Sequence, residues 1–154
     1  SDPISQIDPL GLANGPAVTW MRTKPKCSCP KPPTAPTGAC VDDNVEEAKK
    51  HLDPRWYWEK MESGGDWDYK KQGRGTGQYQ DFGNFNYGAV GASYGLSSQV
   101  LSRFAGWYQE KRTPGAYDPS FGHWWGGAPY GDNPIDQYWI QQGIDYVRCR
   151  CNRR

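Results

Sequence analysis

Three helix starts constrain the fold of this chain more than any other feature of the sequence. Asp53-Pro54 and Asn133-Pro134 each set a capping side chain before a proline that fits the first helical turn, and Ser97 is a third capping residue. Apolar residues recur behind the last two caps at the spacing of one helix face. The two stripes are Val100, Leu101, Phe104, Ala105 and Tyr108, then Ile135, Trp139, Ile140, Ile144 and Val147. These signals predict helices packed against a shared core.

Two further helices and one irregular stretch complete the predicted fold. Asn44 followed by Glu47 has the form of a capping box and predicts a helix to about Leu52. The small residues between Asn84 and Tyr94 predict a short helix that approaches a neighbour closely. The Gly-rich stretch before it predicts turns or short strands. We therefore predict a mainly α (α+β) fold, a compact single domain of about four to five helices with a small β-hairpin or turn-rich region.

Aromatic residues supply most of the large apolar groups. The 154 residues include 8 Trp, 10 Tyr and 4 Phe, beside 19 Gly and 13 Pro, so we expect an aromatic, loop-rich core. The formal net charge is +1, whereas domains that follow nucleic-acid phosphates are usually strongly basic. No run approaches the roughly 18 to 20 apolar residues that span a bilayer, so we expect no transmembrane segment.

Four of the five cysteines form two C-x-C pairs near opposite ends of the chain, Cys27 with Cys29 and Cys149 with Cys151. Neighbours at this spacing are poorly oriented to bond each other, which favours disulfides between the two pairs and leaves Cys40 over. A thiolate zinc site and buried free thiols are the alternatives.

The first residues include the motif Asp8-Pro9-Leu10-Gly11-Leu12. This motif resembles the end of the rearrangement-hotspot (Rhs) shells of bacterial polymorphic toxins. The resemblance implies self-cleavage after Leu12, with a toxin domain following. We expect residues 1–12 to be a remnant of the shell end, 13–42 a Pro/Cys-rich linker, and 43–154 the toxin domain. The partners implied are the Rhs shell and a type VI secretion machinery.

The second half contains three short motifs: W-D-Y-K, which begins at Trp67, G-N-F-N-Y-G-A, which begins at Gly83, and Y-G-D, which begins at Tyr130. Together they resemble the polymorphic toxin type 44 domain, over about residues 55 to 147. The resemblance implies an antibacterial effector and a cognate immunity protein that covers its site. Around the predicted middle helix the chain has more serine and tyrosine than that family. This difference affects the packing, while the polar residues of the three motifs are unchanged.

Carboxylates around the Gly-rich stretch are the predicted catalytic groups. Glu59 lies near the end of a predicted helix and Asp68 on the turn that follows, so the two could face one cleft as an acid/base pair. Lysozyme-type muramidases have a similar layout. Lys70 would hold Asp68 ionised if the two share one face of a strand. The alternative is a solvated helix face carrying Glu59 and a strand with its charges outward.

Several polar and aromatic side chains are candidates for substrate binding, and each also has an ordinary structural explanation as a cap, a turn residue or a core residue. They are Trp67, Asn84, Asn86, Tyr87, His123 and Asp132. The chain has only two histidines and lacks H-E-x-x-H, P-loop and G-x-S-x-G patterns. We expect neither a metal nor a cofactor.

The favoured function is hydrolysis of bacterial peptidoglycan by a toxin delivered to the periplasm of a target bacterium. Aromatic faces suit sugar rings, and cysteines suit an oxidising compartment. The alternative is a metal-independent ribonuclease acting in the cytoplasm, in which Lys70, His123 and the C-terminal arginines contact RNA. A binding or membrane-disrupting domain without enzymatic activity is a third class, which the lack of a strongly amphipathic segment disfavours.

Overall fold

The computed structural model describes residues 28–72 and 77–151. Helices dominate this part of the chain, and no strand occurs among the described residues. Two short 3-10 turns, Pro114–Ala116 and Pro119–Phe121, lie in the loop before the last helix. The α-helices are α1 (Val41–Ala48), α2 (Pro54–Met61), α3 (Tyr69–Gln72), α4 (Gln80–Ser93), α5 (Ser98–Arg112) and α6 (Pro134–Arg148). The mainly α prediction is confirmed.

The three predicted helix starts are present, and each cap works as expected. The side chains of Asp53, Ser97 and Asn133 accept hydrogen bonds from backbone N–H groups two or three residues later, at 2.9, 3.2 and 2.9 Å. Each bond satisfies a donor that the first helical turn leaves without an acceptor. Helices α2, α5 and α6 therefore begin where the sequence predicts.

The predicted capping box at Asn44 is wrong. Helix α1 begins at Val41, so Asn44 lies inside the helix and is buried. Its Nδ2 donates to Tyr69 Oη at 2.8 Å and to Asn86 Oδ1 at 2.8 Å. Tertiary partners take up the side chain that a local pattern assigned to a cap, and they tie α1 to α3 and α4.

The predicted β-hairpin is wrong, and the turn-rich alternative is confirmed. Residues 62–68 form successive turns that lead into α3, so Asp68 and Lys70 do not share a strand face. Gly64 has φ +92°, a conformation that favours glycine. Its N–H donates to Asp68 Oδ2 at 2.8 Å, which closes the turn.

Helices α4 and α6 form the centre of the core and run in the same direction, since Gln80 at the start of α4 bonds Asp136 near the start of α6. A Cβ on Gly88 would lie 2.0 Å from Ile140 O, and one on Gly143 would lie 1.9 Å from Phe85 O. The two helices therefore approach so closely that each contact requires glycine. Ile140, Phe85 and Ile144 are at most 1% exposed at this interface.

The apolar stripes are only partly core. Leu101, Ile140 and Ile144 are buried, whereas Val100 is 52% and Ile135 62% exposed. Both exposed residues lie in the first turn of their helices next to a buried residue, Leu101 in α5 and Asp136 in α6, and therefore face outward. Their prediction as core residues is wrong.

A disulfide between Cys29 and Cys151 joins the N-terminal segment to the end of α6. The Cα atoms lie 5.5 Å apart across a sequence separation of 122. Cys149 is also disulfide-bonded, while Cys27 lies outside the described residues, so the pairing of those two stays a prediction. Zinc ligation is wrong for the Cys29–Cys151 pair. Leu12, the Rhs-like motif and the proposed shell remnant also lie outside the described residues.

The segment before α1, assigned to the linker by sequence, contacts the domain. Ala35 and Ala39 pack against the main core cluster, and Pro36 is buried. In the described part of the chain no helix has the length and apolar character needed to cross a membrane.

Candidate functional site

A cavity of about 430 Å³ opens between the α2–α3 turn, α4, α5 and the start of α6. Its volume is in the range of small-molecule and substrate sites. One wall is aromatic: Trp58 packs edge-on against Phe104 and Tyr108, with ring centroids 4.9 and 5.7 Å apart. Trp67 forms part of another wall and is held by an edge contact with Trp56 at 5.3 Å.

Helix α4 lines the cavity with one face. Gln80, Gly83, Asn84 and Tyr87 occur at i, i+3, i+4 and i+7, and all four border the cavity. The Tyr87 hydroxyl donates to Leu101 O at 2.9 Å and so links α4 to α5. Burial raises the pKa of Tyr87 well above its ordinary value, and the nearby Asp132 charge adds to the rise. Tyr87 is therefore protonated and its proton is engaged.

Two buried carboxylates lie at the wall where α6 begins. Asp132 and Asp136 are each 3% exposed and both line the cavity. Asp132 Oδ1 accepts from Asn133 N at 2.9 Å, and its Oδ2 accepts from Gln137 Nε2 at 2.8 Å. A helix N-terminus favours negative charge, which is one reason that acids at this position can be buried.

Asp136 contacts two polar side chains that are distant in sequence. Gln80 Nε2 donates to Asp136 Oδ1 at 2.8 Å, and Lys70 Nζ lies 3.4 Å from Asp136 Oδ2. The sequence predictions missed Asp136, because an acid in a first helical turn ordinarily complements the helix dipole. The Y-G-D motif includes Asp132 and ends before Asp136.

The surroundings of Asp132 shift its pKa. Burial raises the pKa of Asp132 to about 6, and the charge of Asp136 adds to the rise. The Gln137 hydrogen bond and the charge of Lys70 lower it in part. A carboxyl group with a raised pKa beside a second carboxyl group is an arrangement used for general acid and base catalysis.

The cavity gathers most of the residues proposed from sequence. Asp68 lines it with a side chain 11% exposed, and Lys71 Nζ lies 3.5 Å from Asp68 Oδ2. Lysine therefore pairs with Asp68 as expected, but the lysine is Lys71, since Lys70 pairs with Asp136. The proposed site residues that border the cavity are Trp67, Asp68, Lys70, Asn84, Tyr87 and Asp132.

Three of the proposed residues lie elsewhere. Glu59 is exposed and does not border the cavity, whereas Glu62, one turn later, does. Asn86 is fully buried and bonds Asn44, so it supports the core. His123 is outside the lining too, with its ring stacked on another aromatic residue of the surface loop.

His123 belongs to a separate surface cluster. Its ring lies parallel to that of Trp125 at 5.0 Å, and its Nδ1 is 3.4 Å from Glu110 Oε2. Trp125 is 64% exposed. Among residues 28–72 and 77–151, no group of three or more His, Cys, Asp or Glu side chains could hold a metal ion. The expectation of no metal and no cofactor stays a prediction.

The raised pKa of Asp132 predicts how stability depends on pH. The unfolded chain has the ordinary value of 3.8 and the folded chain about 6, so folding takes up a proton between these values. The stability contributed by the protonated form is complete below pH 3.8 and is lost as the pH rises through 6. Asp132→Asn should remove this dependence.

Urea unfolding of the wild type and Asp132→Asn at several pH values tests this linkage. Relative to the variant, the wild type should lose up to about 3 kcal/mol of unfolding free energy as the pH rises through that window. Because the other carboxyls titrate in both proteins, the difference isolates Asp132. A difference that is independent of pH would contradict the assignment.

Comparisons with known proteins complete the description of the site. Neither the curated proteins nor the solved structures contain a match to this chain. The model of the family described as bacterial toxin 44 matches residues 43–148, which include every residue that lines the cavity. Since this match covers more than half of the chain, the protein belongs to the bacterial toxin 44 family and is a bacterial toxin domain.

Proposed function

We propose that this toxin domain is a hydrolase that cleaves the glycan strands of bacterial peptidoglycan. The observation that carries the proposal is the buried pair Asp132 and Asp136 in the wall of an aromatic cavity, with the pKa of Asp132 raised to about 6. Glycosidases use two carboxyl groups in this way, one protonated and one ionised. The pair replaces Glu59 and Asp68, since Glu59 lies outside the cavity.

Asp132 acts as the general acid in this mechanism. Its proton passes to the glycosidic oxygen as the bond to the anomeric carbon breaks, which makes the departing sugar a neutral alcohol. Asp136, which contacts Gln80 and Lys70, stabilises the positive charge that develops on the sugar ring, or accepts a proton from the attacking water. Lys70 therefore acts through Asp136.

The lining of the cavity suits a carbohydrate better than a nucleic acid. Trp58, Trp67 and Tyr108 offer faces and edges for sugar rings, and their polar tips can bond hydroxyl groups. Four carboxylate residues border the cavity, against Lys70 and Lys71 as its basic residues. Such a surface repels a polyphosphate chain.

A ribonuclease remains the second candidate, because Lys70 and Lys71 border the cavity and arginines follow α6. Arg148, however, is twelve positions beyond Asp136 on the same helix, which is about 18 Å. Its guanidinium donates to Ser98 Oγ at 2.7 Å. The arginines of this end therefore give the cavity no phosphate contact in the described part of the chain.

The delivery of the toxin is part of the proposal. The motif that ends at Leu12 favours release from an Rhs shell carried by a type VI secretion machinery. A toxin also requires a cognate immunity protein in the cell that makes it. The Cys29–Cys151 disulfide favours the periplasm, because disulfides persist in oxidising compartments. The analogy with lysozyme-type muramidases concerns only the use of two carboxyl groups in one cleft.

Expression in a bacterium with and without a secretion signal tests the proposal. The form sent to the periplasm should lyse cells, and the cytoplasmic form should leave growth unchanged, because the substrate lies outside the inner membrane. Purified sacculi should release muropeptide fragments with new reducing ends. Toxicity confined to the cytoplasmic form, with degradation of total RNA and intact sacculi, would establish the ribonuclease instead.

A further inference from the structure

The side-chain amide of Gln137 bridges Asp132 and helix α5. Its Nε2 donates to Asp132 Oδ2 at 2.8 Å and to the backbone oxygen of Ser102 at 3.1 Å. A backbone carbonyl oxygen can only accept a hydrogen bond, so the NH2 group of the amide faces this pair and its oxygen does not. Gln137 does not border the cavity. It can therefore influence chemistry in the cavity only through Asp132.

The turn that carries Asp132 is packed against the same helix. A Cβ on Gly106 would lie 1.7 Å from Tyr130 O, so α5 approaches the turn closely at this point. The guanidinium carbon of Arg103 lies 4.8 Å from the centre of the Tyr130 ring. Tyr130 has φ +62°, a left-handed conformation that is unfavourable for a bulky residue. Helix α5 thus holds a strained turn in one place, and Gln137 fixes the carboxyl group at its end.

The charged and titratable groups around Asp132 come from three further helices. Burial raises the pKa of Asp132 most, the charge of Asp136 on α6 adds to the rise, and Lys70 on α3 lowers it. The Tyr87 hydroxyl on α4 keeps its own proton, because burial raises the pKa of that phenol. The Gln137 amide is neutral and donates at every pH. It therefore stabilises the ionised carboxyl group more than the protonated one.

We propose that Gln137 is a positioning residue that fixes the Asp132 carboxyl group at the cavity wall and sets how readily this group releases its proton. The bond to Ser102 O keeps the amide in place, and the amide then holds Asp132 Oδ2. Without this donor the carboxyl group would turn more freely and would hold its proton more tightly. This inference rests on the proposed hydrolase, because it assigns a supporting residue to the catalytic acid.

A titration without substrate tests the effect on the proton. Carbon-13 NMR of protein labelled at the aspartate carboxyl groups follows each group, and Asp132→Asn identifies the Asp132 signal. In Gln137→Met, which keeps a similar length and lacks the donor, Asp132 should bind its proton about tenfold more tightly. Gln137→Ala, which makes no steric demand within a helix, should tighten the binding as well. An unchanged titration of Asp132 in the folded variants would overturn the proposal.

Rates of fragment release from sacculi over a range of pH test the catalytic consequence. Release requires protonated Asp132 and therefore falls as the pH rises through its pKa of about 6. In Gln137→Met this fall should occur about one pH unit higher. The maximal rate should be at least about fivefold lower, because the carboxyl group is held less firmly, and the apparent KM should change less than about twofold. A lower rate at every pH without displacement of the profile would indicate a purely structural role and would overturn the proposal.

Gln141→Met is the matched control. Gln141 Nε2 donates to Asp145 Oδ1 at 2.8 Å, so this residue also bonds a carboxyl group of α6, but neither partner borders the cavity. The variant should keep the wild-type pH profile and the wild-type titration of Asp132. An equal displacement in Gln141→Met would show that the effect is not specific to Gln137, and the assignment would fail.

The outcomes separate this inference from the proposed function. Tighter proton binding by Asp132 in Gln137→Met, together with sacculi that the wild type leaves intact, would support the role of Gln137 and refute the hydrolysis. Release of fragments by the wild type, together with an unchanged titration of Asp132 in Gln137→Met, would refute the role of Gln137 and leave the hydrolase standing.

Discussion

Replacing Asp132 with asparagine should lower the rate of fragment release from sacculi at least about 100-fold. The substitution keeps the size of the side chain and an oxygen for the Asn133 N–H, but it removes the proton that the leaving sugar needs. Asp136→Asn should have a loss of the same order, because the charge that stabilises the cationic sugar disappears. Initial rates on purified sacculi, at equal concentrations of folded protein, measure both effects.

Two other variants make this test specific. Asp43→Asn changes an exposed acid of α1 outside the cavity and should retain activity. Glu59→Gln distinguishes the structural pair from the pair suggested by sequence, since an essential Glu59 would require a site on the exposed side of α2. Full activity of Asp132→Asn and Asp136→Asn, with a strong loss in Glu59→Gln, would reverse our assignment.

A variant in which Cys27, Cys29, Cys149 and Cys151 are all replaced by serine should lose up to about 5 kcal/mol of unfolding free energy. The Cys29–Cys151 bond joins residues 122 positions apart, and a bridge at Cys149 would restrict nearly the same stretch of the unfolded chain, so all four cysteines are replaced together. A domain of this size has a total stability of roughly 5 to 15 kcal/mol, so the loss should be visible as a large fall in the urea midpoint. The same variant should be a weaker toxin in the periplasm.

Cys40→Ser is the matched control for this variant. Cys40 is the residue before α1 and makes no side-chain capping bond there, and serine is a favourable residue at that position. We expect its unfolding free energy to stay within about 1 kcal/mol of the wild type. A fourfold cysteine variant as stable as this control would show that the disulfide bonds add little to the fold.

The helix starts could be predicted because capping is local. Asp53, Ser97 and Asn133 each act on a backbone group within three residues, so the sequence contains both partners of every bond. Asn44 has the same local form, yet its partners are Tyr69 and Asn86, distant in the chain. Local chemistry allowed a cap there, and tertiary hydrogen bonds overrode it.

The same distinction applies to the candidate site. The toxin-family motifs contain Asp68, Lys70, Asn84 and Asp132, and all four border one cavity. Nothing in the motifs indicates that Lys70 pairs with an acid 66 residues away, or that Asp68 pairs with Lys71. Pairs of this kind depend on how helices pack, which a single sequence does not display.

The sequence by itself indicated the helical class, the positions of three helix starts, disulfide bonding between the two distant cysteine pairs and the membership in a toxin family. These features depend on residues within one turn, on the oxidation chemistry of cysteine, or on similarity of short motifs. Only the tertiary structure decided which acids act together. Asp136 belongs to the site because the close approach of α4 to α6 brings Gln80 beside it and because α3 directs Lys70 towards it. Burial raises the pKa of Asp132, and the packing of the helices around this carboxyl group determines how far it is buried.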